Sequence, residues 1–404
     1  MVTTTTAYTD ARYRTPLGEG YDGVVRVNFG GFYGTGTLLF DGRAVLTAAH
    51  LFEGRTGTAS VTFETSGGIQ ARSAAQILQH PGYDDINSNN DLALVWLSTN
   101  APTAANRYDL YRASNEVGQP FVLTGYGQMG IGSTGSISSS ATTNTSPIRL
   151  KAANQFDTDA FALKSYLGSG MGWAPLAGTQ LVADFDNGLF TNDALGRLMG
   201  RIGAGLGLDE GLIAPGDSGG PAFLGGKVAG VASYVASLTR GSIDPDIDGP
   251  LNSSFGEIAA WQRVSAYQQW IDQSLRARYP NAPTRPDDVK QEVTEGNSGT
   301  SYAYFLLQFA GVRSDPTQVL SLDYATRNGT ALGGSDYLGV TGTLRLYPGE
   351  NQAVIPVEVI GDSVPERNEV FYLDVFNPVG GSFGAGVIQL TAMRTILNDD
   401  GFFG

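Results

Sequence analysis

Short apolar runs alternate with clusters of glycine, serine, threonine, asparagine and proline along the 404 residues of this chain. Runs of this length that are rich in valine, threonine and aromatic residues indicate strands, whereas few stretches have the spacing of an amphipathic helix. The pattern therefore predicts an all-β protein. A chain of this length is also long enough to form more than one hydrophobic core.

The last third of the chain shows the alternation most regularly. Strand-like runs separated by turn clusters occur at 303–309, 319–324, 341–347, 353–360, 370–375 and 387–397. This spacing is typical of two antiparallel sheets packed face to face. The segment 280–288 is polar and rich in proline, which predicts a stiff linker. The predicted organisation is a domain at 1–279, a linker at 280–288 and a β-sandwich at 289–404.

Composition restricts the range of partners. The hydrophobic fraction of 41% and the charged fraction of 16% are ordinary for folded domains. A net charge of −14 argues against nucleic acid and anionic membranes as partners and suits a protein that recruits cations. No apolar run approaches the length of a membrane span. The chain contains no cysteine, so its stability cannot depend on disulfides, although this does not settle its compartment.

One hydroxyl group is surrounded by glycines, in the segment Ala-Pro-Gly-Asp-Ser-Gly-Gly-Pro at 214–221. Glycines allow a sharp turn that directs backbone N–H groups at a neighbouring negative charge. The segment predicts that Ser218 is a nucleophile. A serine is a weak nucleophile by itself, so a base and a group that orients the base are expected elsewhere in the chain.

The search for the base is short, because the chain has only two histidines. His50 follows an apolar run at 45–49, which places its imidazole at a strand end beside a tight turn. His80 precedes a proline in a turn segment, where a solvated loop histidine is the preferred interpretation.

The orienting group is expected to be Asp91, at the head of the apolar run 92–97. An acid in that position is carried toward the core, where a carboxylate must find a partner such as an imidazole N–H. The alternative is an aspartate that caps a turn, with Asp84 and Asp85 equally available as orienting groups.

Three segments together resemble the signature motifs of chymotrypsin-like (trypsin-like) serine proteases: LTAAH ending at His50, NDLALVWL around Asp91 and GDSGGP around Ser218. Their order along the chain is also that of the family. Gly-Tyr-Gly at 125–127 resembles its glycine-flanked aromatic strand, and 263–271 resembles the start of its closing helix. The resemblance covers about residues 20–278 and implies a two-barrel fold.

The resemblance also implies roles for these residues. Ser218 would attack a peptide carbonyl, His50 would transfer the proton to the leaving amine, and Asp91 would fix the imidazole tautomer. The amides of Gly216 and Ser218 would form the oxyanion hole. In the family, the acid equivalent to Asp217 pairs with a new N-terminal amine released by cleavage. No Ile-Val-Gly-Gly segment precedes residues 24–27, so an internal partner for Asp217 is the alternative.

Substrate preference is inferred from the same resemblance. The floor of the specificity pocket falls near Leu212, which carries no negative charge, so an apolar or small residue before the scissile bond is expected. Asp209 and Glu210 lie close enough that a small loop shift would reverse this preference. The strand that pairs with the substrate backbone is expected at Ser233, Tyr234 and Val235.

The segment between Asp91 and Ser218 contains a low-complexity stretch at 130–146 and continues to about Leu198, and its composition predicts an exposed loop. Within it, Asp-Phe-Asp-Asn-Gly at 184–188 only faintly resembles a calcium loop. The glycine comes one residue early and no glutamate closes the motif. A turn with solvated acids is therefore expected there, with a substrate-facing loop as the alternative.

The C-terminal domain resembles a Calx-beta domain across nearly its full length. The matching segments are 293–296, 323–325 followed by 328–331, 334–337, 348–350, 361–362 with Glu366, and 396–400. In calcium-binding members of that family, the equivalent carboxylates converge at one end of the sandwich. Here they are Glu295, Asp336, Asp362, Glu366, Asp399 and Asp400. Gly361 and Asn398 stand where acids would be expected, so the resemblance implies one or two calcium ions, and complete loss of binding is the alternative.

The sequence thus predicts an extracellular serine endopeptidase with an appended calcium-binding β-sandwich that stabilises it or attaches it to a cell-surface or matrix component. Calcium is the expected cofactor of the C-terminal domain, and the catalytic chemistry needs none. The substrate is expected to be protein or peptide. Residues 1–6 lack the features of a secretory signal, yet a secreted or cell-surface location is favoured because uncontrolled proteolysis harms a cell. The alternative function is a catalytically silent, protease-like binding or adhesion protein.

Overall fold

The computed structural model describes residues 2–137, 148–203 and 205–401. The first strands are β1 (Val2–Thr4), β2 (Val24–Phe29), β3 (Phe32–Leu38), β4 (Ala44–Thr47), β5 (Ser60–Thr65), β6 (Gly68–Gln79), β7 (Ala93–Leu97) and β8 (Pro120–Gly125). They are followed by β9 (Gly130–Ile131), β10 (Gly135–Ser136), β11 (Leu150–Gln155), β12 (Thr158–Asp159), β13 (Gln180–Asp184), β14 (Gly211–Ile213), β15 (Pro221–Leu224), β16 (Lys227–Ala236) and β17 (Ile258–Arg263). The last are β18 (Glu292–Thr294), β19 (Thr300–Gln308), β20 (Leu320–Asn328), β21 (Thr341–Leu346), β22 (Gln352–Ile360), β23 (Glu369–Val379) and β24 (Gln389–Leu397). The helices are α1 (Ala160–Leu167), α2 (Ala194–Met199) and α3 (Val264–Arg276).

The chain divides into two compact units. The first consists of Met1–Leu39 and Arg43–Gln268, and the second of Phe40–Gly42 and Gln269–Gly404. Strands dominate both, which confirms the predicted all-β class. A short 3-10 turn, Pro286–Asp288, lies inside the predicted linker. The domain limits expected from the sequence stay a prediction.

Six strands of the first unit close into a barrel in the order β2-β3-β4-β7-β6-β5. The apolar runs around the candidate histidine and aspartate form its two most buried strands, β4 and β7, in which every residue is buried. The register pairs Thr47 with Ala93. The end of β4 therefore lies beside the start of β7. This brings the segment that carries His50 next to the segment that carries Asp91.

The rest of the first unit is built on a seven-stranded sheet in the order β11-β8-β15-β16-β17-β13-β12. Its core centres on Trp261, whose indole ring packs edge-on against Phe121 and Phe156. Burying side chains of this size contributes roughly 2–3 kcal/mol each. A second sheet, β10-β9-β1-β14, brings β14 to the start of the segment that carries Ser218.

The exposed loop predicted for 130–198 is only partly a loop. Residues 138–147 of the low-complexity stretch lie outside the described residues, but 130–136 form β9 and β10. The prediction is wrong for 148–198, which contribute three strands and two helices with buried apolar faces. Asp159 and Asp193 cap the two helices by accepting hydrogen bonds from Ala162 N and Gly196 N, at 2.9 and 2.6 Å.

The acids at 184–188 also differ from expectation. Asp184 and Asp186 leave only 4% and 5% of their surface exposed, so the prediction of a turn with solvated acids is wrong. Asp193 and Glu210 are buried beside them.

The second unit contains a five-stranded sheet in the order β18-β24-β23-β20-β21 and a separate pair, β19-β22. All six predicted strands are present, with ends that differ by a few residues. The sequence analysis did not identify β18, which is three residues long and pairs in parallel with β24. The sandwich core is formed by Phe305, Ile355, Val357, Phe371 and Leu373 with their neighbours. Among the described residues, no helix has the length and apolar character needed to cross a membrane.

Candidate active site and acidic clusters

His50 and Asp91 meet at one end of the barrel. His50 lies in a 3-10 turn, Ala49–Phe52, directly after β4. Its backbone N donates to Asp91 Oδ1 at 2.8 Å, and its Nδ1 lies 2.7 Å from Asp91 Oδ2. Because an ionised carboxylate can only accept, Nδ1 carries the ring proton and Nε2 is left as an acceptor. The expectation that Asp91 merely caps a turn does not describe this geometry.

Asp91 has a third donor that the sequence analysis assigned differently. The hydroxyl of Ser233, on β16, donates to Asp91 Oδ2 at 2.6 Å, while Gln262 Nε2 donates to the same hydroxyl at 3.3 Å. Asp91 is only 1% exposed, so these donors replace the water it has lost. The family motif identified Ser233 through its strand, but nothing in the sequence spacing indicated a contact with Asp91.

Ser218 lies on a turn held against the barrel. Its carbonyl accepts from Thr35 N at 2.8 Å, and the Thr47 hydroxyl donates to the Thr35 carbonyl at 2.7 Å. The next residue, Gly219, has φ of +82°, and an added Cβ there would lie 2.1 Å from Thr47 Oγ1. This turn is therefore packed against the end of β4, three residues before His50. Within the described residues, the structure gives no hydrogen bond between Ser218 and His50.

The backbone amides of this turn fall into two groups, those with a hydrogen-bond acceptor and those without one. Asp217 N, Gly219 N and Gly220 N each donate to a backbone carbonyl. In contrast, the amides of Gly216 and Ser218 have no hydrogen-bond acceptor among the described residues. Gly216 has φ of +97°, a conformation that glycine adopts without strain. The two amides expected to form an oxyanion hole are thus available to a ligand.

Asp217 is buried inside the first unit. Its Oδ1 accepts from Gly127 N at 2.7 Å and its Oδ2 from Ala214 N at 2.9 Å. An added Cβ at Gly125 would lie 2.1 Å from Oδ1, so only glycine leaves room for this carboxylate beside the Gly-Tyr-Gly segment. Burial raises the pKa of Asp217 to about 6. Two backbone amides therefore donate to this carboxylate, and the question of an N-terminal or an internal partner stays a prediction.

The other residues predicted to bind substrate differ in their burial and in their contacts. Leu212 is fully buried in the core, and its backbone pairs with Thr3 of β1. Tyr234 accepts from Trp173 Nε1 at 3.0 Å and donates to Gln180 at 2.9 Å. Val235 pairs with Ala259 on the neighbouring strand. Their roles in substrate binding remain predictions.

His80 is not the solvated histidine that the sequence suggested. It is half-buried, and its ring lies edge-on to Tyr267 with 5.5 Å between ring centroids. Its Nδ1 accepts from Gly82 N at 3.1 Å, and burial lowers its pKa. Neither contact brings it to Ser218 or Asp91.

Five of the six predicted calcium ligands in the second unit belong to two groups of carboxylates. Within each group, one oxygen per residue lies within 4.8 Å of the others. The groups are Glu295 with Asp399 and Asp400, and Asp336 with Glu366 and Glu369. Glu369 was missed by the sequence analysis. Asp362 belongs to neither group, but its charge helps to raise the pKa of both Glu295 and Glu366, for which burial is the main cause.

Glu295 is the most buried member of these groups. Its Oε1 and Asp400 Oδ2 are both buried without a hydrogen-bond partner. Burial, followed by the charges of Asp362 and Glu366, raises the pKa of Glu295 to about 7. Burial and the adjacent Asp336 have the same effect on Glu369. Carboxylate oxygens that lack donors in this way fit a hard cation such as calcium.

Comparison with protein families agrees with this architecture. Residues 17–162 match the Trypsin family model, a segment that contains His50 and Asp91 but ends before Ser218. Residues 310–400 match the Calx-beta domain. The chain therefore combines a domain of the trypsin-like serine protease class with a β-sandwich. The matches are regional: the chain contains a trypsin-like domain matched at 17–162 and a Calx-beta domain matched at 310–400.

Individual relatives resemble only parts of the chain. The sodium/calcium exchanger Calx of Drosophila melanogaster is 40% identical over 88 residues, which are 22% of this chain and 9% of the exchanger. Sodium/calcium exchanger 2 of Rattus norvegicus is 34% identical over 153 residues, 31% of this chain and 17% of that protein. The chain thus spans less than a fifth of the length of either. The solved structure of neuropsin, a serine protease expressed in the limbic system of mouse brain, has a TM-score of 0.46 and 19% identity, covering 65% of this chain and 98% of neuropsin.

Proposed function

We propose that this chain is an extracellular serine endopeptidase in which Ser218, His50 and Asp91 form the catalytic triad. The observation that carries the proposal is the hydrogen bonding of Asp91, which holds the His50 ring through Nδ1 and leaves Nε2 as an acceptor. Ser218 lies on a turn packed against the same barrel edge. Hydrogen bonds between such a nucleophile and its base are often long without substrate and tighten when it binds.

In the proposed mechanism, His50 Nε2 takes the proton of the Ser218 hydroxyl as its oxygen attacks the peptide carbonyl. The amides of Gly216 and Ser218 stabilise the oxyanion, with each donor contributing about 3 kcal/mol. His50 then gives the proton to the leaving amine, and an acyl-enzyme remains on Ser218. A water molecule, deprotonated by His50, hydrolyses the ester and restores the hydroxyl. Asp91 keeps the imidazole oriented and balances its charge throughout.

The experiment compares the full chain with its Ser218→Ala variant on casein and on a peptide library. A Ser66→Ala variant serves as the matched control, because Ser66 is an exposed serine far from Ser218 in sequence. Cleavage is expected in the unmodified chain and in Ser66→Ala, and is expected to fall at least a thousandfold in Ser218→Ala. Equal absence of cleavage in all three would support the alternative, a catalytically silent binding or adhesion protein. The peptide library also tests the preference for apolar or small residues before the scissile bond.

The second part of the proposal concerns the Calx-beta domain. Glu295, Asp399 and Asp400 would hold one calcium ion, and Asp336, Glu366 and Glu369 a second, with Asp362 adjacent. The unpartnered oxygens of Glu295 and Asp400 support this, as does similarity to proteins named sodium/calcium exchangers. Calcium bound there would neutralise the clustered charges and stabilise the sandwich, which could then attach the enzyme to a cell-surface or matrix component.

Calcium binding by the sandwich is tested by thermal unfolding of the full chain with calcium or with chelator. Calcium is expected to raise the midpoint of the C-terminal transition, and Glu295→Gln with Asp400→Asn, which alter only the first of the two groups, should reduce that rise. A transition that does not move in saturating calcium would argue for a sandwich without bound ions.

A further inference from the structure

A third group of carboxylates lies in the first unit. One oxygen from each of Asp184, Asp186 and Asp193 lies within 4.8 Å of the other two. These residues come from the end of β13, the segment after it and the N-cap of α2. All three are at least 95% buried. The exposed acids common on protein surfaces need no special explanation, but three carboxylates enclosed together do.

Two of the three carboxylates, those of Asp193 and Asp184, accept hydrogen bonds from backbone amides. Asp193 uses both oxygens, accepting from Gly196 N at 2.6 Å and Gly203 N at 3.2 Å. Asp184 Oδ2 accepts from Leu195 N at 2.7 Å. These bonds orient the two carboxylates by capping the helix. They leave lone pairs on both, because each carboxylate has about four acceptor sites.

Asp186 is the exception. Its carboxylate accepts no hydrogen bond from any described residue, and its Oδ1 is completely buried without a partner. Its backbone is nevertheless fixed, because Asp186 N donates to Glu210 Oε1 at 2.7 Å. Glu210 is itself buried and accepts from Leu206 N with its other oxygen. The structure thus holds Asp186 in place while giving its side chain no donor.

The cluster also lacks a salt bridge within the described part of the chain. Among residues 2–137, 148–203 and 205–401, no lysine, arginine or histidine forms an ion pair with Asp184, Asp186, Asp193 or Glu210. In agreement, burial and the charges of Asp184 and Glu210 raise the pKa of Asp186. Burial also raises the pKa of Glu210, to about 7. A carboxylate cluster in this position requires protons or a cation.

We propose that Asp184, Asp186 and Asp193 bind one buried divalent cation, with calcium preferred. Two oxygens on opposite sides of a calcium ion lie about 4.6–5.2 Å apart, since each Ca–O distance is about 2.3–2.6 Å. One oxygen of each residue lies within 4.8 Å of the other two, a spacing that fits three ligands around a single ion. An all-oxygen donor set selects a hard cation over zinc, which prefers nitrogen and sulfur ligands. Water completes the six to eight ligands that calcium takes.

The site shares no residue with the proposed triad or with the Calx-beta groups. It also differs from the linear calcium loop considered for 184–188, because its third ligand, Asp193, lies beyond that motif. A bound cation would tie β13 to the start of α2. Through Glu210, which bonds to Asp186 and directly precedes β14, it would stabilise the segment leading to Ser218. Binding itself does not depend on peptidase activity.

The test uses the full chain with Ser218→Ala, which prevents self-cleavage, and with Glu295→Gln and Asp336→Asn to weaken binding by the sandwich. Calorimetric titration with calcium is expected to show one remaining site. Adding Asp186→Asn should remove it or weaken it at least tenfold. Adding Asp209→Asn should leave it unchanged, because Asp209 is an exposed acid that pairs with Arg12 and lies next to Glu210 in sequence. Equal binding with and without Asp186→Asn would overturn the proposal, as would tighter binding of zinc than of calcium.

A second measurement does not depend on the folding of the multiple variant. Crystals of the Ser218→Ala chain soaked in terbium chloride, a calcium substitute, should give an anomalous difference peak between the carboxylates of Asp184, Asp186 and Asp193. Absence of that peak in crystals that bind terbium at Glu295 would overturn the proposal. Since both tests use an inactive chain, their failure is distinguishable from failure of the proposed peptidase.

Discussion

Two aspartates of the first unit are equally buried but have opposite surroundings. Asp91 is 1% exposed and accepts three hydrogen bonds, two from His50 and one from Ser233. Asp186 is 5% exposed and accepts none from the described residues. After burial, the charges of four other acids raise its pKa: Asp184, Glu210, Asp193 and Asp157.

The difference shows that burial alone does not determine how a carboxylate behaves. A hydrogen bond to a charged group contributes about 1.5–3 kcal/mol, so three donors offset much of the cost of burying the Asp91 charge. The donors around Asp91 therefore leave no need for a cation beside it. Asp186 has no such compensation and needs a proton or a metal ion. Altering the charge or its donors at these two sites is therefore expected to have different effects.

The largest effect is expected from Asp91→Asn. The amide has the same shape but presents an NH₂ group toward Nδ1, which favours the imidazole tautomer with its proton on Nε2. His50 could then no longer accept the Ser218 proton, and kcat/KM for peptide hydrolysis is expected to fall about 10⁴-fold. The measurement is peptide cleavage at neutral pH, with circular dichroism to confirm that the variant is folded.

The matched control for this variant is Asp186→Asn, which removes the same charge at a buried site outside the triad. With calcium absent, it is expected to retain activity within a fewfold of the unmodified chain. A loss as large as that of Asp91→Asn would contradict the separation of the two sites.

The two aspartates also differ in how far the sequence predicted them. His50 and Asp91 follow and precede strongly apolar runs, so strand ends at both positions were predictable, and pairing of β4 with β7 brings them together. The Ser233 contact depends on which way a side chain of β16 points in the folded sheet. Spacing along the chain does not contain that information.

The acids at 184–188 were misjudged because glycine and asparagine beside aspartate are typical of turns. Their burial results from contacts with Asp193 and Glu210, which lie several residues away in sequence. Glu369 was missed for a similar reason. It begins β23 and pairs with Ile396, and only that register places it near the acidic end of the sandwich. The six sandwich strands were predictable because alternation and turn clusters are local signals.

The second prediction concerns stability at different pH values in the presence of chelator. Raised pKa values, such as that of Asp186 and that of Glu210 at about 7, mean that the folded chain binds protons more tightly than the unfolded chain. The contribution of these groups to stability is therefore present in mildly acidic solution and is lost as pH rises through their folded-state pKa values. The thermal midpoint is expected to be lower at pH 8 than at pH 5.5, by on the order of 5 °C.

Other acids with raised pKa values also lower the stability as pH rises, among them Asp217, Glu295 and Glu369. The decisive measurement is therefore the difference in pH dependence between variants. Asp186→Asn should reduce the decline with pH and raise the midpoint at pH 8, whereas Asp209→Asn should do neither. An unchanged pH dependence in Asp186→Asn would show that the residue is not an uncompensated buried acid.

The smallest effect is expected from Ser233→Ala, which removes one of the three donors to Asp91 and leaves both donors from His50. Losing one hydrogen bond to a charge costs about 1.5–3 kcal/mol, which corresponds to a decrease in kcat of roughly 10- to 150-fold. KM should change little, because the backbone of β16 is unaltered. Ser233→Thr keeps the hydroxyl and should restore most of the rate. A decrease as large as that of Asp91→Asn would mean that the hydroxyl takes part in proton transfer, while failure of threonine to restore the rate would indicate a packing role instead.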